Sequence, residues 1–319
     1  MPLAARLFPE FHLSIVERLI RDGLSVYPSY GQWFWAMHKT FTDESGVNDP
    51  LAFGMASYFG LDTQLDRLAR RWRAVLEKPE YDMAECGFHA KEFYKPSPND
   101  KVYSWPSTKR DRFIDELISA IEDCKVWLFA TGVDSEAFYA LPESERRHLT
   151  GGVFNGPSGK WKLMSGKASA PYFLALRVQL ETIATRTPQG HKCYQILHRQ
   201  NEYEGYAHDY YDWVTGEQSP MKNDYDISRL GHPLVFASHT QYLQLQAADL
   251  SAYHVYQYTL EKRLNRKAQP SKIFKRLAKK VIALEDLLIV TADALPKLLE
   301  RFRAYDPLWR EKRAASGRS

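Results

Sequence analysis

Two adjacent carboxylates, Asp43 and Glu44, stand directly before a Ser45-Gly46 turn. The surrounding pattern predicts a strand over residues 38–44 and a second strand over 51–59 that returns beside it. Carboxylates are uncommon in strands, and a buried carboxylate is costly unless it is paired or bound to a metal ion. The stretch is therefore compatible with an acidic metal site, and equally with a solvated strand end.

A third carboxylate, Asp249, lies in a run of small and apolar residues within a helix predicted over 243–264. Gln246 precedes it by three residues and Tyr253 follows it by four, so the three side chains share one helix face. The two alanines between Gln246 and Asp249 allow a close approach of the helix to a sheet. An Asp at such a position needs a hydrogen-bond network, a basic partner or a metal ion.

The elements that must position these carboxylates alternate between strands and helices, which indicates an α/β body. Because the first two strands form a hairpin, we expect a mixed sheet. Segment 88–93 fits either a third strand or a strand-to-loop connection. The further strands are predicted at 125–133, 192–198 and 233–238, and the further helices at 61–77, 107–124, 171–185 and 201–213.

The chain divides into an N-terminal extension (1–36), a body (37–264) and a basic C-terminal region (265–319) with helices predicted at about 271–283 and 284–305. From Lys262 to the end, 16 Lys and Arg face 6 Asp and Glu, although the net charge of the whole chain is only +4. A basic region of this kind suits a polyanion such as nucleic acid; the alternative is the solvated face of amphipathic helices. The candidate nucleic-acid-binding residues are Lys272, Lys275, Arg276, Lys279 and Lys280.

Composition excludes several classes of protein. Hydrophobic content of 44% and charged content of 26% are typical of a globular domain. Three widely spaced cysteines form neither a disulfide framework nor a metal knuckle, so we expect a reducing, cytoplasmic compartment. No apolar run is long enough for a membrane span. The glycine-rich segment 150–168 lacks the spacing of a phosphate-binding P-loop, and the histidines show no zinc-site spacing.

Three short motifs, taken in order, resemble a known family. They are Asp-Glu-Ser-Gly at 43–46, Phe-His-Ala-Lys-Glu at 88–92 and Leu-Gln-Ala-Ala-Asp-Leu at 245–250. Their order is similar to that of domain-of-unknown-function family 3800, whose pattern resembles the RNase H-like nucleases. The likeness covers roughly residues 37–264. It implies an RNase H-like mixed sheet with helices on both faces and an acidic site for divalent metal ions.

The resemblance also implies roles for particular residues. Asp43 and Asp249 would be metal ligands and catalytic residues, and His89 would position a phosphate or a water; a structural role is the alternative for His89 and Asp249. Glu44 and Glu92 are weaker ligand candidates. Glu44 is the weaker neighbour of Asp43 because adjacent strand residues point to opposite faces.

Two further observations concern the ligand set. Asp134 is a metal-ligand candidate from its position alone, at the end of the strand predicted over 125–133. The chain departs from the family pattern in segment 194–199, where folds of this type often place a carboxylate and this sequence has none. Glu202 lies just beyond it.

The implied chemistry follows from the ions. Mg²⁺ and Mn²⁺ prefer carboxylate oxygen, and two such ions about 4 Å apart can clamp the attacking water and the leaving oxygen of a phosphodiester. The sequence therefore predicts a divalent-metal-dependent nuclease or phosphodiesterase. The alternative is a non-catalytic protein of the same fold that binds nucleic acid or a partner. Nothing in the sequence sets the oligomeric state.

Overall fold

The computed structural model describes residues 37–151, 153–155, 161–163, 169–216, 219, 225–283 and 286–305. The predicted N-terminal extension, 1–36, and most of the glycine-rich segment 150–168 lie outside these residues. At the centre is a six-stranded sheet. Its strands, in chain order, are β1 His38–Ser45, β2 Ala52–Leu61, β3 Trp127–Asp134, β6 Cys193–His198, β7 Val235–Ala237 and β8 Leu287–Val290; β4 Val153–Asn155 and β5 Trp161–Leu163 pair separately.

The sheet is mixed, with the order β7-β6-β1-β2-β3-β8. β2 is antiparallel to both β1 and β3, as the predicted hairpin requires. β6 is parallel to β1, β7 is parallel to β6, and β8 is parallel to β3. The predicted architecture, a mixed α/β sheet flanked by helices, is confirmed. Because β1, β6 and β7 run in one direction, their carboxyl ends meet at one edge of the sheet.

Helices cover both faces of this sheet. In chain order they are α1 Asp62–Leu76, α2 Ala90–Tyr94, α3 Ser107–Glu122, α4 Ser135–Ala140, α5 Glu143–Thr150, α6 Pro171–Arg186, α7 Glu204–Thr215, α8 Leu243–Leu264, α9 Lys272–Leu277 and α10 Ala294–Tyr305. Segment 88–93 is thus an extended stretch that leads into α2. Within the described ranges, none of the helices combines the length and the apolar character that a membrane span requires.

Two apolar cores follow from the alternation of side chains along the strands. Phe41 and Ala56 face the core formed with α1, α3, α8 and α9. Phe53 and Phe129 face the opposite core, formed with α6, α7 and α10. The near-continuous burial of β2 and β3 reflects this coverage on both faces.

The C-terminal region differs from the expectation of one helix over 284–305. Leu287–Val290 forms β8, which pairs with Ala130–Val133 of β3 at the edge of the sheet. A short run of Leu, Ile and Val fits a strand when an open strand edge is within reach. The helix begins only at Ala294, so the basic C-terminal region contributes to the sheet as well as to the helical layers.

The long helix α8 crosses β2 at very short range. A Cβ placed on Gly54 would lie 2.6 Å from the backbone nitrogen of Tyr256 and 2.7 Å from the carbonyl oxygen of Ala252. These backbone atoms belong to a buried helix and cannot rotate away. Gly54 therefore sets how closely α8 approaches the sheet.

We expect Gly54→Ala to destabilise the fold by about 2 kcal/mol, because the added methyl group forces α8 away from the sheet. Gly205→Ala in the first turn of α7 is the matched control, since nothing lies within 4 Å of the place that its methyl group would occupy. This control should be neutral or slightly stabilising. Urea unfolding monitored by circular dichroism measures both changes, and equal midpoints for the two variants would contradict the account of Gly54.

Candidate functional site

The candidate site lies where the parallel strands β1, β6 and β7 end. In open α/β sheets the carboxyl ends of the strands form the crevice in which ligands bind. Asp43 is near the end of β1, His198 is the last residue of β6, and His239 follows β7 by two residues. Asp249 joins them from the N-terminal half of α8, and His89 from the residue before α2.

Asp43 is buried between two imidazoles. Its Oδ2 lies 2.5 Å from His239 Nε2, and its Oδ1 lies 3.2 Å from His198 Nδ1. Oδ1 also accepts a hydrogen bond of 2.8 Å from the backbone N–H of Glu44. The two histidine rings stack at a centroid distance of 4.0 Å with an interplanar angle of 6°. One carboxylate thus orients both rings toward the same point.

A second cluster shares His239 with the first. It joins His239 to His89 and Asp249, and in each cluster the possible ligand atoms lie within 4.8 Å of one another. Asp249 is buried, and its Oδ2 accepts a hydrogen bond of 2.7 Å from the backbone N–H of Ala90. The structure therefore brings together Asp43, Asp249 and His89, three residues singled out in the sequence.

Gln246 links three surrounding segments through hydrogen bonds. Its Oε1 accepts hydrogen bonds from Trp72 Nε1, at 3.0 Å, and from the backbone N–H of Phe88, at 2.9 Å. Its Nε2 donates to the carbonyl oxygen of His239 at 3.1 Å. One buried amide on α8 thus fixes α1, the segment that carries His89, and the turn that carries His239.

Burial and hydrogen bonding act oppositely on the Asp43–His239 pair. Burial raises the pKa of Asp43, but the hydrogen bonds and charges of His198 and His239 outweigh it, so the pKa lies below its usual value. Burial lowers the pKa of His239, but the hydrogen bond and charge of Asp43 outweigh it and raise the pKa. Both shifts favour a charged Asp43 beside a protonated His239.

Around the other two buried acids, hydrogen bonds and positive charges do not outweigh burial. Burial, followed by the charge of Asp43, raises the pKa of Asp249 to about 8. Burial and the charges of Asp43 and Asp249 raise the pKa of Glu44 well above its usual value. Burial and the charge of His239 lower the pKa of His89. Burial and mutual repulsion thus favour the neutral forms of Asp249 and Glu44, whereas a bound metal ion would favour their charged forms.

Glu44 lies on the opposite face of β1 but at the same strand end. Burial raises the pKa of Tyr172, a residue of the core around α6, and the charge of Glu44 raises it further. The Oε1 atom of Glu44 lies 4.0 Å from His198 Nδ1. This buried oxygen has no hydrogen-bond partner among the residues that the structure describes, so it is available to a ligand.

The remaining carboxylate candidates lie away from the centre. The side chain of Glu92 is 64% exposed, and its carboxylate lies 4.0 Å from His89 Nδ1, at the rim. Asp134 caps α4 by accepting from the backbone N–H of Ala137 at 3.0 Å, and it lies 3.7 Å from Arg263. In the sheet register Asp43 is level with Ala130, so Asp134 is displaced by four residues, about 13 Å.

The candidate nucleic-acid-binding residues divide into two groups. Arg276 bonds to Asp115 and Glu122, and Lys280 donates to two backbone carbonyls at the end of α3. These two side chains hold α9 against α3. Lys272, Lys275 and Lys279 are exposed.

His198 and His239 were not singled out in the sequence. His198 occupies the end of the strand on which a carboxylate was sought and not found. The signal that could have identified it is a histidine at the end of each of two successive predicted strands, since parallel strands bring such residues together. His239 precedes Gln246 in the motif region but has no spacing that marks a metal site.

The donor set fits a divalent metal ion. Each cluster offers one carboxylate and two imidazoles, groups that ligate Zn²⁺ and related ions. The unpartnered buried Oε1 of Glu44 adds a further oxygen donor beside the first cluster, within the part of the chain that the structure describes.

Comparison with known proteins adds a distant similarity. The chain is similar to a solved structure, Bst-RNase HIII in complex with Mn²⁺, with 12% sequence identity and a TM-score of 0.36, over 89% of this chain and 75% of that one. No family model and no curated protein matches the chain, so the resemblance to family 3800 stays a prediction. At this identity and TM-score nothing about the activity of this chain follows from the similarity.

We expect Gln246→Ala to destabilise the protein by about 3 kcal/mol, because it leaves the N–H groups of Trp72 and Phe88 buried without an acceptor. Gln244→Ala is the matched control on the same helix. Gln244 is also buried but, among the described residues, makes one side-chain hydrogen bond, to the carbonyl oxygen of Leu65 at 3.2 Å, so its loss should cost about 1 kcal/mol. Chemical denaturation measures the two; a smaller loss at Gln246 would contradict the role assigned to it.

Proposed function

We propose that this chain is a divalent-metal-dependent phosphodiesterase that acts on nucleic acid. The observation that carries the proposal is the convergence of Asp43 and Asp249, far apart in the sequence, at the carboxyl ends of three parallel strands. Both are buried, and the charge of Asp43 adds to burial in raising the pKa of Asp249. Buried acids kept together in this way favour a bound cation over a purely structural role.

The roles of the chain's own residues follow from their positions. Asp43 and Asp249 would supply carboxylate ligands from the sheet side and the helix side of the crevice, one to each of the two clusters that share His239. A divalent ion bound there supplies activation of a water and stabilisation of negative charge on phosphate oxygens. His89 stands at the rim with its side chain 37% exposed, where its imidazole can orient a phosphate or an attacking water. Gln246 keeps the segments of His89 and His239 at a fixed separation.

A basic surface supports a nucleic-acid partner. Burial raises the pKa of the Cys124 thiol, and the nearby charges of Arg67 and Arg71 on α1 and of Lys280 after α9 oppose that rise. The hydrogen bond of Arg276 lowers the pKa of Glu122, and the charge of Lys279 adds to this effect. The basic side chains of α1 and of the C-terminal region therefore surround the same end of α3. Such a surface contacts phosphates without reading bases.

We expect Asp43→Asn and Asp249→Asn each to reduce cleavage of DNA or RNA in the presence of Mn²⁺ or Mg²⁺ by about 100-fold or more, because a metal ligand is lost. The matched control is Asp134→Asn, which keeps a helix-capping side chain and lies away from the centre; it should retain activity. Cleavage that persists in both Asp43→Asn and Asp249→Asn would overturn the proposal. A folded protein that binds nucleic acid without cleaving it would leave the non-catalytic alternative.

For the basic surface we expect Lys275→Glu with Lys279→Glu to weaken nucleic-acid binding and to flatten its salt dependence, by a slope of about 0.9 for each phosphate that is no longer neutralised. Lys297→Glu on α10 is the control, since α10 belongs to the opposite core and Lys297 is exposed. Fluorescence anisotropy at several salt concentrations provides the measurement. An equal loss at Lys297 would indicate a general charge effect and not a binding surface.

A further inference from the structure

We propose that the metal ion of this centre is one that prefers imidazole ligands, of the Zn²⁺, Fe²⁺ and Co²⁺ class, and that His198 and His239 ligate it together with Asp43. Mg²⁺ then binds only weakly. The inference rests on the proposed metal-dependent function and deepens it by naming the class of ion.

The donor sets of both clusters are rich in imidazole. In both clusters two of the three possible ligands are histidines. Imidazole nitrogen suits Zn²⁺ and Fe²⁺, whereas Mg²⁺ takes carboxylate, carbonyl and water oxygens. A centre suited to Mg²⁺ would place carboxylates at the ends of β6 and β7, where this chain has His198 and His239.

The imidazoles of His198 and His239 are both directed at the carboxylate of Asp43. The nitrogens His198 Nδ1 and His239 Nε2 lie 3.2 and 2.5 Å from the two oxygens of Asp43. Their rings are nearly parallel. The three donor groups therefore converge through the fold of the chain itself.

Strand pairing and a buried hydrogen bond hold this arrangement. The parallel pairing of Thr42 with Leu197 places His198 beside Asp43. His239 is fixed through its own carbonyl oxygen by Gln246. Ligands whose backbone is anchored in this way by buried hydrogen bonds are preorganised for an ion.

A further carboxylate oxygen lies near His198. Glu44 is buried, with an exposed fraction of 7%, and its Oε1 lacks a hydrogen-bond partner among the described residues. This oxygen lies 4.0 Å from His198 Nδ1. The atoms that converge in the first cluster are those of Asp43, His198 and His239, and two imidazoles with one carboxylate form a three-ligand set of the kind that holds Zn²⁺ with a further position left for water.

The experiment measures ion binding directly, without reference to activity. Full-length protein is stripped with a chelator and titrated with Zn²⁺ and with Mg²⁺ by calorimetry, and with Co²⁺ by visible absorption. We expect Zn²⁺ and Co²⁺ to bind at least about 100-fold more tightly than Mg²⁺, as the ligand preferences require. Co²⁺ should give absorption bands of a nitrogen-ligated ion.

Variants identify the ligands. His198→Gln and His239→Gln should each weaken Co²⁺ binding by about 10- to 100-fold and alter its spectrum. His191→Gln is the matched control: His191 is exposed and precedes β6 at the end of the strand opposite to His198. It should bind Co²⁺ as the wild type does.

The outcomes separate this inference from the proposed function. Mg²⁺ binding as tight as Zn²⁺ binding, or Co²⁺ spectra unchanged in both histidine variants, overturns the imidazole-preferring centre while metal-dependent cleavage can still stand. A wild-type protein that binds none of the three ions overturns the inference and the proposed function together, and leaves a structural Asp–His hydrogen-bond network. If a variant fails to fold, the comparison of ions on the wild type decides the question.

Discussion

The structure around the site depends on the burial of one carboxylate. Asp43 is 1% exposed at the end of a central strand, and an unpaired charge there would cost several kcal/mol. Two imidazoles meet this requirement, one from the end of β6 and one from the turn after β7. That arrangement requires β1, β6 and β7 to be parallel neighbours that end at one edge, so the topology of the sheet and the neutralisation of Asp43 are linked.

The helix α8 provides the other half of the arrangement. It can deliver Asp249 to the strand ends only because it approaches the sheet closely, across Gly54 and with small residues on its inner face. The same helix carries Gln246, whose three hydrogen bonds connect α1, the segment before α2 and the turn of His239. Packing distance and site geometry are therefore set by one element.

Much of the fold could be predicted from the sequence, because its signals are local. The hairpin of β1 and β2 and the helix over 243–264 follow from periodicity and turn residues. The strand β8 could not be predicted this way, because its conformation depends on the open edge of β3. Nor could the participation of His198 and His239, since it depends on which strands are parallel and where each ends. The position of Asp134 could not be predicted either. Its distance from Asp43 depends on how β1, β2 and β3 are aligned, which places Asp43 level with Ala130 and not with Asp134.

The histidines also bear on how such a centre folds without an ion. A centre built only from carboxylates repels itself until a cation arrives. Here the raised pKa of His239 favours a positive charge beside Asp43, and the pKa of Asp249, raised to about 8, and the raised pKa of Glu44 favour the neutral forms of those acids. Without an ion, bound protons thus reduce the negative charge that the ion would otherwise neutralise. An arriving cation must displace them, so ion affinity is coupled to proton release, while the fold itself needs no ion to keep its buried charges compensated.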